Sequence, residues 1–224
     1  MRWPFTTYAT GTLLLSTLPL AALSLVLAST TAGFWWILPL PLFLFFAAFF
    51  RDPERQAAGA EDDLISPADG VVADIVTVDD PALSEPATRI GIFLSVFDVH
   101  VNRVPCAGEV TEISERDGGY LDARDPRASE ENRAATITLR RADGRSVAVR
   151  QITGLIARRI LCPVTVGQGF ERGQRYGMIR FGSRTELIVP TADLAELTCQ
   201  IGDTVRGGQT LLAKLNPAQG DPSS

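Results

Sequence analysis

One histidine (His100), one lysine (Lys214) and three scattered cysteines (Cys106, Cys162, Cys199) are all that 224 residues offer of several chemically versatile side chains. A site with two imidazole ligands is therefore excluded, and with it most zinc and di-metal hydrolases. The cysteines are odd in number, far apart and in no C-x-x-C pair. Neither a disulfide framework nor a zinc knuckle is indicated, and they read as small core residues of a reducing compartment. Positive charge is also scarce: 21 Lys and Arg against 26 Asp and Glu give a net charge of −5, which leaves no basic footprint for nucleic acid. The most informative absence is local. Between Arg2 and Arg51 there is no charged residue, which excludes a plain soluble protein.

The uncharged stretch divides into two apolar runs, Gly11 to Ala28 and Phe34 to Phe50, separated by Ser29, Thr30, Thr31, Ala32 and Gly33. At about 1.5 Å per residue each run covers roughly 26 Å, near the lower limit for a bilayer core of about 30 Å. A membrane-associated helical hairpin over residues 1–50 is the first reading. A secretory signal peptide is the alternative, and the second apolar run directly after the small residues argues against it. Arg2, Arg51 and Arg55 flank the hairpin while its connection carries no basic residue. The chain is therefore expected at the cell membrane with both ends, and the domain that follows, on the cytoplasmic side. Pro19, Pro39 and Pro41 would kink the helices, which leaves open whether the hairpin spans the bilayer or dips into one leaflet.

Residues 51–63 are polar and Ala/Gly-rich and read as a linker, with a folded domain over 64–224. Short runs rich in Val and Ile recur there between turn residues, at 70–78, 89–96, 108–113, 134–139, 146–152, 178–181, 186–189 and 209–215. A helix is expected over Gly154 to Leu161, where Leu155, Ile156, Ile160 and Leu161 form a stripe with Arg158 and Arg159 on another face. Two internal echoes refine the fold class. Pro67 to Val72 and Pro105 to Val110 share P-x-x-G-x-V, and residues 166–177 align with 201–212, matching Gly167 to Gly202, Gly173 to Gly208 and Gln174 to Gln209. Glycines at repeated turn positions between apolar strands predict a mainly β domain with lipoyl/biotinyl-like barrel-sandwich elements and a short helix. No attachment lysine sits at a turn, so a carrier function is not supported.

Three segments carry candidate chemistry. In Phe97 to Pro105, alternation places Asp98, His100 and Asn102 on one face of an extended segment, and Val99, Val101 and Arg103 on the other. Ser66-Pro67-Ala68-Asp69-Gly70 reads first as a β-turn and second as an Asp positioned to orient a base. Gly182-Ser183, between strand-like runs, pairs a flexible residue with a hydroxyl nucleophile and permits an N→O acyl shift.

Taken together, Phe50-Arg51-Asp52-Pro53, Pro67-Ala68-Asp69-Gly70, Phe97-Asp98-Val99-His100-Val101-Asn102-Arg103, the Gln151 to Arg159 stretch and Arg180-Phe181-Gly182-Ser183-Arg184 resemble the phosphatidylserine decarboxylases in their short prokaryotic form. The resemblance covers essentially the whole domain. It implies a proenzyme that cuts itself between Gly182 and Ser183. Ser183 would attack the Gly182 carbonyl to form an ester, β-elimination would release a β chain of residues 1–182, and the remaining dehydroalanine would hydrolyse to pyruvate, a covalent pyruvoyl group heading the α chain, 183–224. The implied cofactor forms a Schiff base with the serine amine of phosphatidylserine and accepts the electrons freed as CO₂ leaves. His100 would donate the quenching proton, and Asp69 and His100 would assist self-cleavage.

The implied partners are phosphatidylserine in the membrane and the two chains of one precursor, which stay associated; whether the chain forms a homo-oligomer is open. Longer members of the family carry a second His three positions after the first, where Arg103 stands here. This leaves open whether His100 serves self-cleavage, decarboxylation or both. Arg158 and Arg159 would receive the lipid phosphate or form a solvated face. Two other classes compete: a membrane-anchored serine hydrolase using Ser183, His100 and Asp69, and a non-catalytic lipoyl-like adaptor.

Overall fold

The computed structural model describes residues 5–30, 33–83, 85–156, 158–180 and 182–217. Arg2, Thr31, Ala32, Ala157 and Phe181, used in the sequence reading, lie outside the described residues. The chain divides into two compact units, Met1–Glu54 and Arg55–Ser224.

The first unit holds α1 (Thr10–Thr30) and α2 (Leu40–Phe49). With 21 residues, α1 extends about 32 Å and is the one helix among the described residues long and apolar enough to cross a membrane. It runs two residues past the expected end. The hydroxyls of Ser29 and Thr30 make this possible by donating back to the Val26 carbonyl, at 2.9 and 2.7 Å, so they need no outside partner. By contrast, α2 has ten residues, about 15 Å, shorter than the expected run. Pro39 and Pro41 do not kink it; they occupy its first turn, where proline's missing N–H costs nothing. The Thr6 N–H donates to the Phe50 carbonyl at 2.9 Å, so the two ends of the hairpin lie side by side.

The second unit is built from β1 (Leu64–Ile65), β2 (Gly70–Asp79), β3 (Pro86–Leu94), β4 (Val101–Arg103), β5 (Gly108–Arg116), α3 (Ala128–Glu131), β6 (Ala134–Arg140), β7 (Ser146–Ile152), β8 (Ile160–Leu161), β9 (Gly169–Phe170), β10 (Arg175–Ile179), β11 (Ser183–Pro190), β12 (Leu194–Leu197), β13 (Thr204–Val205) and β14 (Leu211–Leu215). Each of the eight expected strands is present. An eight-stranded sheet runs β13-β2-β3-β11-β7-β6-β5-β9, and two three-stranded sheets run β1-β14-β12 and β4-β10-β8. One continuous core, including Ile90, Ile92, Leu94, Ile137, Leu187 and Leu212, lies inside this curled sheet. The mainly β expectation holds.

The echoes in the sequence are a structural repeat. Gly167, Gly173, Gly202 and Gly208 all have left-handed φ, at +84°, +78°, +95° and +76°. Their N–H groups make matched bonds: Gly167 to the Val110 carbonyl and Gly202 to that of Val72, both 2.8 Å; Gly173 to that of Val104 and Gly208 to that of Ser66, at 3.0 and 2.7 Å. The other echo is reciprocal too, with the Arg103 N–H on the Pro67 carbonyl and the Ile65 N–H on the Pro105 carbonyl.

One expectation is corrected. No helix forms over Gly154 to Leu161: the described residues are a loop followed by β8, which pairs with β10 at Met178↔Leu161 and Ile179↔Ile160. Ladder pairing takes the backbone groups that a helix needs, and Leu155 and Ile156 face no core. The short helix of this unit is α3. Residues from Arg55 onward group with the second unit, where Asp62 accepts a hydrogen bond from Arg141 at 2.9 Å.

Gly70 adopts φ +145°, and a Cβ there would lie 2.0 Å from the Phe93 carbonyl oxygen. Gly70→Ala is expected to destabilise the protein by about 3 kcal/mol through steric and backbone strain. The check is urea unfolding of the detergent-solubilised protein, with a lower midpoint and an unchanged slope.

Candidate active site

Strand β11 is buried along its length, between β3 and β7. Alternation gives it two unlike faces. Leu187 and Val189 point into the apolar core, and Ser183 and Thr185 share their side. Arg184 and Glu186 point the other way into a buried ionic layer. There Glu186 accepts from Arg184 at 2.8 Å, Ser129 at 2.6 Å and Arg150 at 3.3 Å, while Arg184 also reaches Asp74 at 2.8 Å. Gly91 leaves room for the guanidinium, since a Cβ there would lie 1.9 Å from Arg184 Nη2.

Ser183 opens β11, paired with Leu94, and is fully buried. Its Oγ has no hydrogen-bond partner among the described residues, an unusual state for a buried hydroxyl. Gly182 precedes it with φ +62°, a conformation that favours glycine. The Gly182 N–H donates to His100 Nε2 at 3.3 Å, and His100 Nδ1 meets the Asp98 carbonyl at 2.9 Å. A carbonyl only accepts and an amide N–H only donates, so these bonds select the tautomer protonated at Nδ1. The basic lone pair of Nε2 then faces the Gly182 peptide.

Gly154 lies against the Gly182 carbonyl: a Cβ there would sit 2.2 Å from the Gly182 carbonyl oxygen. Only glycine at 154 lets the two backbones approach so closely. The sequence reading quotes Gly154 within a longer stretch and assigns it no role. A residue needed for having no side chain leaves no chemical signal of its own.

His100 immediately precedes β4 while Ser183 opens β11 in another sheet, and Asn102 ties the two strands. Two residues beyond His100, its Nδ2 donates to Thr185 Oγ1 at 3.0 Å, two residues beyond Ser183. Its Oδ1 accepts from Gln151 Nε2 at 2.8 Å. All three side chains are fully buried. Asn102 thus shares the face of His100 as expected, whereas Asp98 lies outside that arrangement, with Oδ2 accepting from the Ser95 N–H at 2.8 Å in a turn. Thr185 and Gln151 are the partners that sequence reasoning missed.

Asp69 precedes β2 and is itself held in place. Its carboxylate is gripped by Arg55, with Nη2 to Oδ2 at 2.9 Å and a second, shorter Nη1 contact to Oδ1, and Oδ1 also accepts from the Gly207 N–H at 2.8 Å. The register Val71↔Phe93 and Ser183↔Leu94 puts one strand between Asp69 and Ser183, a separation of about 10 Å at ordinary strand spacing. The structure brings Ser183, Gly182 and His100 together, and it holds the Asp69 carboxylate on Arg55 and the Gly207 N–H.

The cysteines are unsuited to nucleophilic work. Burial, reinforced by the negative charge of Glu115, pushes the Cys162 thiol up to about 11, and burial raises Cys106 and Cys199 as well.

A family model described as phosphatidylserine decarboxylase matches residues 42–213. The chain belongs to the phosphatidylserine decarboxylase family. Among its relatives, the phosphatidylserine decarboxylase proenzyme of Rhodopirellula baltica is 41% identical over 216 residues, covering 94% of this chain and 88% of that protein. The protein of the same name from Aromatoleum aromaticum is 44% identical over 201 residues, covering 88% and 93%. That from Cereibacter sphaeroides is 45% identical over 175 residues, covering 76% and 75%. Arg103 donates from Nη1 to the Gly173 carbonyl at 3.0 Å and packs over Gly208.

Asn102→Leu would leave Thr185 and Gln151 short of partners and is expected to cost about 2 kcal/mol. Thr185→Val, which removes only one end of the chain of bonds, should cost about half that in thermal unfolding. At pH 8 the three thiols should resist iodoacetamide in the folded protein and react after unfolding, as mass spectrometry would show.

Proposed function

We propose that this chain is a phosphatidylserine decarboxylase proenzyme that converts phosphatidylserine to phosphatidylethanolamine after cutting itself between Gly182 and Ser183. One observation carries this reading: a fully buried Ser183 Oγ with no partner among the described residues, beside a left-handed Gly182 whose N–H rests on the basic nitrogen of the only imidazole in the chain.

In the proposed maturation His100 Nε2 exchanges the long bond from Gly182 for the proton of Ser183 Oγ. The freed oxygen attacks the Gly182 carbonyl carbon, and the acyl group passes from the Ser183 nitrogen to the Ser183 oxygen as the peptide C–N bond breaks and His100 returns its proton to that nitrogen, leaving an ester and the amine of residue 183. Loss of the Ser183 Cα proton then expels the Gly182 carboxylate. The resulting dehydroalanine takes up water and loses ammonia, and residue 183 becomes the pyruvoyl group. The burial of Ser183 and the absence of a partner for its Oγ fit this conversion, because no existing hydrogen bond is lost when the hydroxyl disappears. The mature group supplies a ketone-type electron sink for loss of CO₂.

The remaining roles belong to the chain's own residues. His100 holds or returns a proton at the reacting carbon, and Asn102 and Thr185 keep it there. Asp69 enters as a fixed charge neutralised by Arg55, not as a hydrogen-bonded orienter. Membrane association is ascribed to the hairpin, residues 1–50, with the catalytic domain, 64–224, on the cytoplasmic side of the cell membrane and 51–63 connecting them. After the cut the β and α chains stay together, since β11 remains laddered to β3 and β7.

Intact mass spectrometry under denaturing conditions tests the proposal. The wild type should give two chains, the shorter beginning with a ketone-bearing residue at 183, while Ser183→Ala should stay whole and lack decarboxylase activity. Gly154→Ala should slow the cut at least tenfold by displacing the Gly182 carbonyl. A wild type that remains a single chain with an intact Ser183 would remove the reading.

A further inference from the structure

The two loops that hold Gly182 also carry exposed apolar side chains. Phe97, three residues before His100, is 75% exposed; Leu155 and Ile156, directly after Gly154, are 64% and 65% exposed. Scattered surface hydrophobes are ordinary. These three are not scattered, because their loops meet at one residue, Gly182, His100 on its N–H and Gly154 against its carbonyl. The second loop is pinned at its far end as well, where the Arg180 N–H bonds the Arg159 carbonyl at 3.4 Å, three residues before Ser183. Leu155 and Ile156 therefore stand at the rim of the site by construction.

The charge on this rim is opposite to that of the chain. No acidic residue occurs from Gln151 to Phe170 in a protein of net charge −5. Arg158 and Arg159 are exposed within that stretch, and the Arg158 guanidinium lies 5.5 Å from the centre of the Tyr120 ring. Aliphatic and aromatic side chains interleaved with arginines match the boundary between anionic headgroups and acyl chains. Ser183, in turn, is fully buried, so a lipid headgroup must descend to it while its tails stay in the bilayer.

We propose that Phe97, Leu155 and Ile156, with Arg158 and Arg159, dock the mouth of the site onto the interfacial region of an anionic phospholipid bilayer. The inference rests on the decarboxylase reading and adds to it a membrane contact made by the catalytic unit itself, beyond the hairpin.

Full-length protein reconstituted in phosphatidylserine-containing vesicles gives the test. In an Ile156→Trp variant, the fluorescence in excess of wild type should be quenched by lipids brominated in the upper acyl chain, and more weakly in purely phosphatidylcholine vesicles. Leu155→Ser/Ile156→Ser should lose tenfold or more of its turnover of bilayer phosphatidylserine. It should stay within twofold of wild type on a short-chain phosphatidylserine dispersed as monomers. Absence of the extra quenching overturns the docking, as does equal loss, or no loss, on both substrates. A blue shift that appears without vesicles and grows with protein concentration assigns the rim to a second copy and also overturns it. A wild type that turns over neither substrate strikes at the decarboxylase reading, and the quenching still decides the docking.

Discussion

The site depends on one short crossing of the chain between two sheets. Leaving β10, which pairs with β4 and β8, the backbone enters β11 at the centre of the eight-stranded sheet after only residues 180–182. Both ends of this crossing are fixed by ladder bonds, so the Gly182 peptide cannot relax by sliding along either strand. Its surroundings, with a left-handed glycine, an imidazole on the glycine's N–H and a second glycine against its carbonyl, follow from that confinement. The Asn102–Thr185 bond closes the arrangement by tying the first sheet to the second a single side-chain repeat away.

The two faces of β11 provide different surroundings at one-residue intervals. Ser183 and Thr185 meet uncharged polar groups and the apolar core, while Arg184 and Glu186 meet Arg89, Arg150, Asp74 and Asp80 or their partners. Buried ion pairs add little net stability over an apolar equivalent, because desolvation offsets their attraction. They do penalise a slipped strand heavily. A shift of one residue would drive Arg184 into the core and Ser183 into the ionic layer. The ionic layer thus sets the position of a serine that it never touches.

Much of this was legible in the sequence because it rests on periodicity and turn chemistry. The Val/Ile runs locate the strands, and the echoed glycines mark four left-handed turns whose backbone would resist any other residue. Gly182, Ser183 and His100 were legible through the motifs around them. The stripe at 155, 156, 160 and 161 misled, because a loop that returns to a strand can carry the same spacing as a helix. The partner of Asp69 was hidden for another reason. Arg55 lies in a stretch whose composition is that of a linker, and only the folded backbone brings it to Asp69. Thr185 and Gln151 were equally silent, since ordinary polar residues become significant only when buried opposite one another across sheets.

The paired turns have a consequence for assembly. Gly173 and Gly208 lie against each other, a Cβ on either falling 3.7 Å from the other's carbonyl oxygen, and the arms that contain them offer nearly the same backbone. During folding β9 and β13 are therefore close to interchangeable as edge partners for β5 and β2. Backbone bonds do not distinguish the two assignments. The discrimination lies in what flanks each arm: β9 leads into β10 and so to β4, whereas β13 is framed by β12 and β14 and so reaches β1. A chain with the arms exchanged would satisfy its edges and still carry β10 away from β4, separating His100 from Ser183.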